Sequence, residues 1–261
     1  MRRALLLVLA ALALVLVAGC GDDDSDSAGG DSGGDTPRLT VSAAASLKGA
    51  FEAYGKDFTD AQARFSFAGS DELAAQIRKG VKPDVFAAAN TKLPDQLFDE
   101  GKVDKPVIFA GNRLVLAVPA DSTKVKSVDD LAEPGVKLAV GAESVPVGSY
   151  TREVLGRLPS SEEKAILGNV RSNEPDVSGV VGKLTQGAAD AGFVYVTDVV
   201  ATDGKVKAIE LPESLQPSVE YGVAVVKGAK EPEAAKAFID GLVDGAGAKA
   251  LEDAGFEPPP K

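Results

Sequence analysis

The chain has 261 residues and a formal net charge of −11, an acidic balance that argues against a nucleic-acid partner and against long-range attraction of an anion. It contains no histidine and no tryptophan, which excludes Ser-His-Asp and Cys-His catalysis, histidine acid–base chemistry and histidine-rich zinc sites. Aromatic residues make up only 5%, so stacking platforms for sugars or bases are scarce, and Cys20 is the single cysteine, so no internal disulfide supports the fold.

Met1-Arg2-Arg3 is a short basic start, and residues 4–18 form an apolar run that ends in Val17-Ala18-Gly19-Cys20. A basic start, a short apolar stretch and small residues before the break read as a secretory signal, too short for a comfortable membrane span. Val-Ala-Gly-Cys resembles the lipobox of bacterial lipoproteins, which implies that residues 1–19 are removed and that Cys20 becomes a lipidated first residue anchored to a membrane. The alternative is an ordinary signal peptide with an incidental cysteine. Removal leaves 242 of the 261 residues and, with Arg2 and Arg3 gone, a net charge of −13. The stretch 20–37 is almost wholly Gly, Asp and Ser after the cysteine; it buries no apolar area and reads as a tether.

From Arg38 onward strand and helix patterns alternate. Residues 39–43 read as a strand; Leu47, Ala50, Phe51, Tyr54 and Phe58 then fall at helical spacing. Residues 64–67 make a second strand, followed by a helix through Leu73, Ala74 and Ile77 that Gly80 closes. Residues 85–88, 114–118, 138–140, 191–196 and 221–226 read as further strands. Helices are expected around Leu93 and Leu97, around Tyr150 and Val154, along the face Val177, Val180, Val181 and Leu184, and over 234–242 and 248–251. Alternating units of this kind imply an α/β fold with mostly parallel sheets, whose ligands sit beyond the carboxyl ends of the strands.

Two serines stand at such ends. Ser46 follows Ala43-Ala44-Ala45, and Ser70 follows Phe67-Ala68-Gly69. The small neighbours let a ligand approach the backbone. Each serine either caps its helix or donates to an anion at the helix N-terminus, where unpaired N–H groups and the dipole already favour negative charge. Asp71 and Glu72 suit the helix dipole but stand close to where an anion would bind. Val145-Pro146-Val147-Gly148 and Asp176-Val177-Ser178-Gly179 make two more strand-to-helix corners, where any contact would come from a backbone N–H. Tyr195, at the end of a strand, holds its hydroxyl either for a ligand oxygen or for a core carbonyl.

These two serine corners, with Pro83-Asp84-Val85-Phe86, Gly111-Asn112-Arg113-Leu114, Val145-Pro146-Val147-Gly148, Asn173-Glu174-Pro175-Asp176-Val177 and Tyr195-Val196-Thr197-Asp198, resemble the periplasmic molybdate-binding proteins of molybdate ABC transporters, in order and in separation, from about residue 39 to 256. The resemblance implies a type II periplasmic-binding-protein fold: two α/β lobes with a ligand cleft between them, the chain crossing twice. Lobe 1 would comprise 38–113 and 222–261, and lobe 2 would comprise 114–221. It implies a tetrahedral oxyanion, molybdate and also tungstate, held by Ser46, Ser70, Val147, Val177 and Tyr195. It further implies no cofactor, no direct protein–metal ligand, a monomer, and delivery to an ABC permease outside the cytoplasm. Two positions depart from the family. Val147 stands where alanine is common, and Asp71 stands where small neutral residues are common.

Rival readings remain at this level. Ser161-Glu162-Glu163-Lys164 matches a Ser-x-x-Lys pattern but also reads as a helix start, and Gly179-Val180-Val181-Gly182-Lys183 lacks the spacing of a phosphate-binding loop. A serine-dependent enzyme would need an acid–base partner, and none is evident. The same fold could hold sulfate or an organic acid, although no arginine sits at any of the four corners. A tungstate-type site with direct carboxylate ligands would draw on Glu174 and Asp176. A tethered interaction or sensor domain without transport is the third possibility.

Overall fold

Strand and helix alternate along the whole described chain, residues 36–260 of a computed structural model. The signal segment, Cys20 and the tether up to residue 35 lie outside the described residues. The first stretch runs β1 (Arg38–Ala44), α1 (Lys48–Asp57), β2 (Gln62–Ala68), α2 (Ser70–Arg78), β3 (Val85–Ala88), α3 (Lys92–Asp99) and β4 (Val107–Asn112). The second runs β5 (Leu114–Pro119), β6 (Leu138–Gly141), α4 (Pro146–Leu155), α5 (Ser160–Gly168), β7 (Val170–Glu174), α6 (Val177–Thr185), β8 (Ala191–Tyr195), α7 (Val196–Val200) and β9 (Val206–Glu210). The chain then returns with β10 (Val219–Val225), α8 (Pro232–Val243) and α9 (Ala246–Asp253).

Two five-stranded sheets result, ordered β2-β1-β3-β10-β4 and β7-β6-β8-β5-β9. Each has a parallel trio and one antiparallel insertion. β1 pairs in parallel with β2 and β3, and β10 runs antiparallel between β3 and β4. β6 pairs in parallel with β7 and β8, and β5 runs antiparallel between β8 and β9. In both sheets the inserted strand is the one the chain enters on arriving from the other sheet. This is the two-lobed α/β fold of type II periplasmic binding proteins, with crossings at β4–β5 and β9–β10.

The sequence explains the layers. Central strands are continuous apolar runs, such as Val85-Phe86-Ala87-Ala88 and Leu114-Val115-Leu116-Ala117-Val118, buried along their whole length because helices cover both faces. Under the first sheet Phe51 and Phe238 meet edge-on with ring centroids 5.6 Å apart, and Tyr54, Phe65 and Phe109 close around them. The strands left out of the sequence reading are β4, β7 and β9, all at sheet edges. β7 (Val-Arg-Ser-Asn-Glu) and β9 (Val-Lys-Ala-Ile-Glu) are half exposed and carry too few apolar residues to announce a strand. Ser161 and Lys164 lie on the exposed start of α5, and Gly179 to Lys183 lie inside α6. Neither forms a catalytic or phosphate-binding loop.

One buried carboxylate ties the first lobe together. Asp84, just before β3, accepts from the Thr40 backbone N–H and hydroxyl (both 2.7 Å) and from the N–H groups of Lys230 (2.7 Å) and Glu231 (3.0 Å) ahead of α8. Burial alone would raise its pKa; the Thr40, Glu231 and Lys230 hydrogen bonds outweigh that and hold it below the ordinary carboxylate value. Asp84→Ala leaves those donors unpaired and is expected to lower the unfolding free energy by about 2–4 kcal/mol, measured in urea. A carboxylate depressed in the folded state stabilises above its unfolded pKa. The wild-type advantage is therefore full above the ordinary value of 3.8 and disappears as pH falls below it through the folded value.

Candidate functional site

The loops that follow β1, β2, β6, β7 and β8 converge from the two lobes on one small cavity of about 20 Å³. That is only slightly more room than a single water molecule needs. Ser46, Ser70, Val147, Val177 and Tyr195 all line it, together with Ala44, Ala45, Ala68, Gly69, Ala89, Val145, Pro146 and Asp176. The five residues singled out from the sequence are thus brought together. Asp71 and Glu72 are not part of the lining.

Neither serine caps a helix through its side chain. Ser46 lies in a 3₁₀ turn, Ala45–Leu47, between β1 and α1, and its Oγ is 3.0 Å from the Tyr221 hydroxyl. Ser70 is the first residue of α2 and is buried, and its Oγ accepts from the Ala89 N–H at 3.1 Å. The capping alternative is excluded by these partners.

Val147 is the second residue of α4, after Pro146 at the position where a missing N–H costs nothing. Its own N–H belongs to the first turn, which has no intrahelical acceptor. The valine bulk that departs from the family pattern packs against Gly141, where a Cβ would lie 2.6 Å from Val147 Cγ1. Val177 opens α6, and Asp176 caps that helix by accepting from the Gly179 N–H at 3.0 Å. The cap engages Asp176 Oδ1, and Glu174 pairs with Ser172 and Lys183. Among the described residues no cluster of carboxylates or cysteines suits a bare metal ion.

Tyr195 is 1% exposed, and its hydroxyl has no hydrogen-bond partner. A buried hydroxyl without a partner costs about 1–3 kcal/mol, so an oxygen entering the cavity would relieve a real deficit. Burial, with Tyr221, Tyr150 and Asp198 nearby, raises its pKa well above the usual phenol value, so it stays an O–H donor. Its backbone N–H donates to Asp198 at 2.9 Å. Desolvation pushes the Asp198 carboxyl up to about 7, against the pull of the Tyr195 N–H and assisted by Asp176. The cavity therefore offers two serine hydroxyls, a phenol and two helix N-termini, with no lysine or arginine. Such a set can present neutral donors to an anion, with the Asp176 carboxylate, engaged in its helix cap, as the one charged side chain of the lining.

Comparison with known proteins agrees with this architecture. The family model described as bacterial extracellular solute-binding protein matches residues 39–257. The chain belongs to that family, among its ModA-like members. The molybdate-binding protein ModA of Mycobacterium tuberculosis is 36% identical over 227 residues, 85% of each chain. A putative ABC transporter substrate-binding lipoprotein of Bacillus subtilis is 33% identical, covering 84% of this chain and 85% of the relative. The substrate-binding domain of a putative molybdenum ABC transporter from Clostridium difficile has a TM-score of 0.64 at 32% identity, covering 85% of this chain and 99% of that one.

Sequence reasoning missed Tyr221 and Ala89 and quoted Asn112 and Thr197 only within motifs, without a role, because their partners lie on other segments. It named Gly69 only for backbone access. Gly69 faces the opposite lobe: a Cβ there would fall 2.4 Å from the Pro175 carbonyl oxygen. Gly69→Ala is therefore expected to hold the lobes apart, leaving the ligand-free melting midpoint unchanged while weakening anion binding by about tenfold or more, as calorimetric titration beside a thermal melt would read.

Proposed function

We propose that this protein captures molybdate outside the cytoplasmic membrane and presents it to the permease of an ABC transporter, acting as a monomer. The supporting observation is the convergence of Ser46, Ser70, Val147, Val177 and Tyr195 on one small cavity that offers donors and no cationic side chain. Molybdate is a fully deprotonated dianion at neutral pH and only accepts hydrogen bonds. Neutral donors to an ionised oxygen contribute about 1.5–3 kcal/mol each, so five, with two helix dipoles, replace hydration without a counter-charge. Phosphate near neutral pH keeps a proton and wants an acceptor. Sulfate is fully deprotonated but smaller, so size decides against it; tungstate matches molybdate and binds as well. An organic acid is usually met by an arginine, and none lines the cavity.

The lobes in this reading are 38–113 with 222–261 and 114–221, the last boundary falling inside β10, which joins the first sheet from Val219 onward, and closing them completes the cage. The lipid anchor is proposed from Val17-Ala18-Gly19-Cys20, supported by the lipoprotein relative. Among the described residues no helix is long and apolar enough to cross a membrane.

Calorimetric titration tests the ligand. Molybdate and tungstate are expected to bind with similar affinity, and sulfate and phosphate far more weakly; equal binding of sulfate or phosphate overturns the reading. Ser46→Ala and Ser70→Ala should each weaken molybdate binding by about tenfold or more. Cys20→Ser should abolish incorporation of labelled fatty acid and move the protein from the membrane to the soluble fraction; retained label would exclude Cys20 as the anchor.

A further inference from the structure

Behind Ser46 lies a hydrogen-bonded chain with a fixed direction. It begins at the first crossing between lobes. Asn112 ends β4, and its Oδ1 accepts from the Arg113 backbone N–H at 2.8 Å. A backbone N–H only donates, so this contact identifies the oxygen of the Asn112 amide and turns its Nδ2 the other way. Nδ2 faces the Thr197 hydroxyl at 3.0 Å and the Tyr221 hydroxyl at 3.4 Å. An amide NH₂ also only donates. Tyr221, on β10 just after the second crossing, therefore receives a hydrogen from Asn112 and has its own to give. The one other partner of its hydroxyl among the described residues is Ser46 Oγ, at 3.0 Å. Tyr221 is fully buried, and burial with Asp198 nearby keeps its phenol un-ionised. Ser46 Oγ thereby accepts from Tyr221 with one lone pair, and its own hydrogen, which can no longer go to Tyr221, is left for the cavity that Ser46 lines. Ser70 reaches the same state by a shorter route, its Oγ accepting from the Ala89 N–H.

We propose that Tyr221 and Asn112 are positioning residues that fix the Ser46 hydroxyl as a hydrogen-bond donor, and that they thereby set selectivity for fully deprotonated oxyanions over proton-bearing ones. The proposal rests on the oxyanion reading above. Without the Tyr221 hydroxyl, Ser46 Oγ is free to rotate and to accept, so it donates less reliably to molybdate and can receive the proton of phosphate.

The experiment is a double-mutant cycle on the full chain purified in detergent, titrated with molybdate and with inorganic phosphate. Tyr221→Phe keeps the ring that packs on Phe109, Tyr195 and Phe256, and a thermal melt without ligand verifies the fold. It is expected to weaken molybdate binding by about tenfold and to narrow the molybdate-to-phosphate affinity ratio by at least as much. In a Ser46→Ala background the same substitution should change molybdate affinity by less than about twofold, because its effect passes through Ser46. Asn112→Asp presents an acceptor to Tyr221, reverses the chain and should lose as much molybdate affinity as Ser46→Ala; it serves also if Tyr221→Phe does not fold. Equal losses from Tyr221→Phe in both backgrounds, or an unchanged affinity ratio, overturn the proposal. A wild-type protein that ignores molybdate overturns the ligand reading instead, and the same cycle run with sulfate then still decides the role of Tyr221.

Discussion

A dianion taken out of water loses a hydration shell that no single neutral group replaces, so a site without cationic side chains must have several donors fixed in place before the ion arrives. That constraint orders the rest of the molecule. Donors of this kind are cheapest where helices begin, because first-turn N–H groups lack intrahelical partners. Parallel strands feeding helices place such beginnings at one end of a sheet. One sheet supplies the corners at Ser46 and Ser70, and the other supplies those at Val147, Val177 and Tyr195. Neither sheet carries the full set, so in the proposed reading a ligand held by all five must bridge the two.

The two crossings make that coupling physical. Asn112 stands at the first and Tyr221 at the second, and Asn112 reaches Thr197 across the lobes while Tyr221 reaches Ser46. Arg113, at the first crossing, adds an exposed clamp to Glu210 and Glu257, which is too solvated to contribute much energy. The buried polar network at the hinge is satisfied by protein groups on the Tyr221 side, whereas on the cavity side Tyr195 is left with an unpartnered hydroxyl. Of the buried side-chain polar atoms without a partner among the described residues, the Tyr195 hydroxyl is the one in the cavity lining, where a ligand oxygen would satisfy it.

What the sequence disclosed follows from range. The central strands, parallel or antiparallel, are local apolar runs, so β1, β3, β5, β6, β8 and β10 could be read within a residue or two of their observed ends. Edge strands β7 and β9 are half exposed and had no comparable signature, whereas β4 carries the apolar run Val107-Ile108-Phe109-Ala110, which the sequence reading left out. The five cavity residues were legible because each sits in a short corner motif. The determinants behind them were not: Ser46 and Tyr221 are 175 residues apart, and Asn112 and Tyr221 are 109 apart, so no local pattern joins them. The same gap explains why capping was as good an account of each serine as ligation until their actual partners, Tyr221 and the Ala89 N–H, were seen. Asp71 looked obstructive beside Ser70 in sequence, yet the turn into α2 carries it out of the lining.

The absence of any lysine or arginine from the lining, in a chain of net charge −11, then has a kinetic sense. A cationic clamp would hold the ion by a long-range force that persists as the lobes part. Hydrogen bonds to neutral donors fall off steeply with distance and angle, so a small opening releases them nearly together and water takes over each donor. Burial pushes the carboxyl of Asp198, which accepts from the Tyr195 N–H, up to about 7, and this lessens its repulsion against a guest at neutral pH. A transport carrier has to hold its cargo firmly when closed and surrender it when a partner pries the lobes apart. Short-range donors divided between two lobes meet both demands, which a charged pocket in one lobe would not.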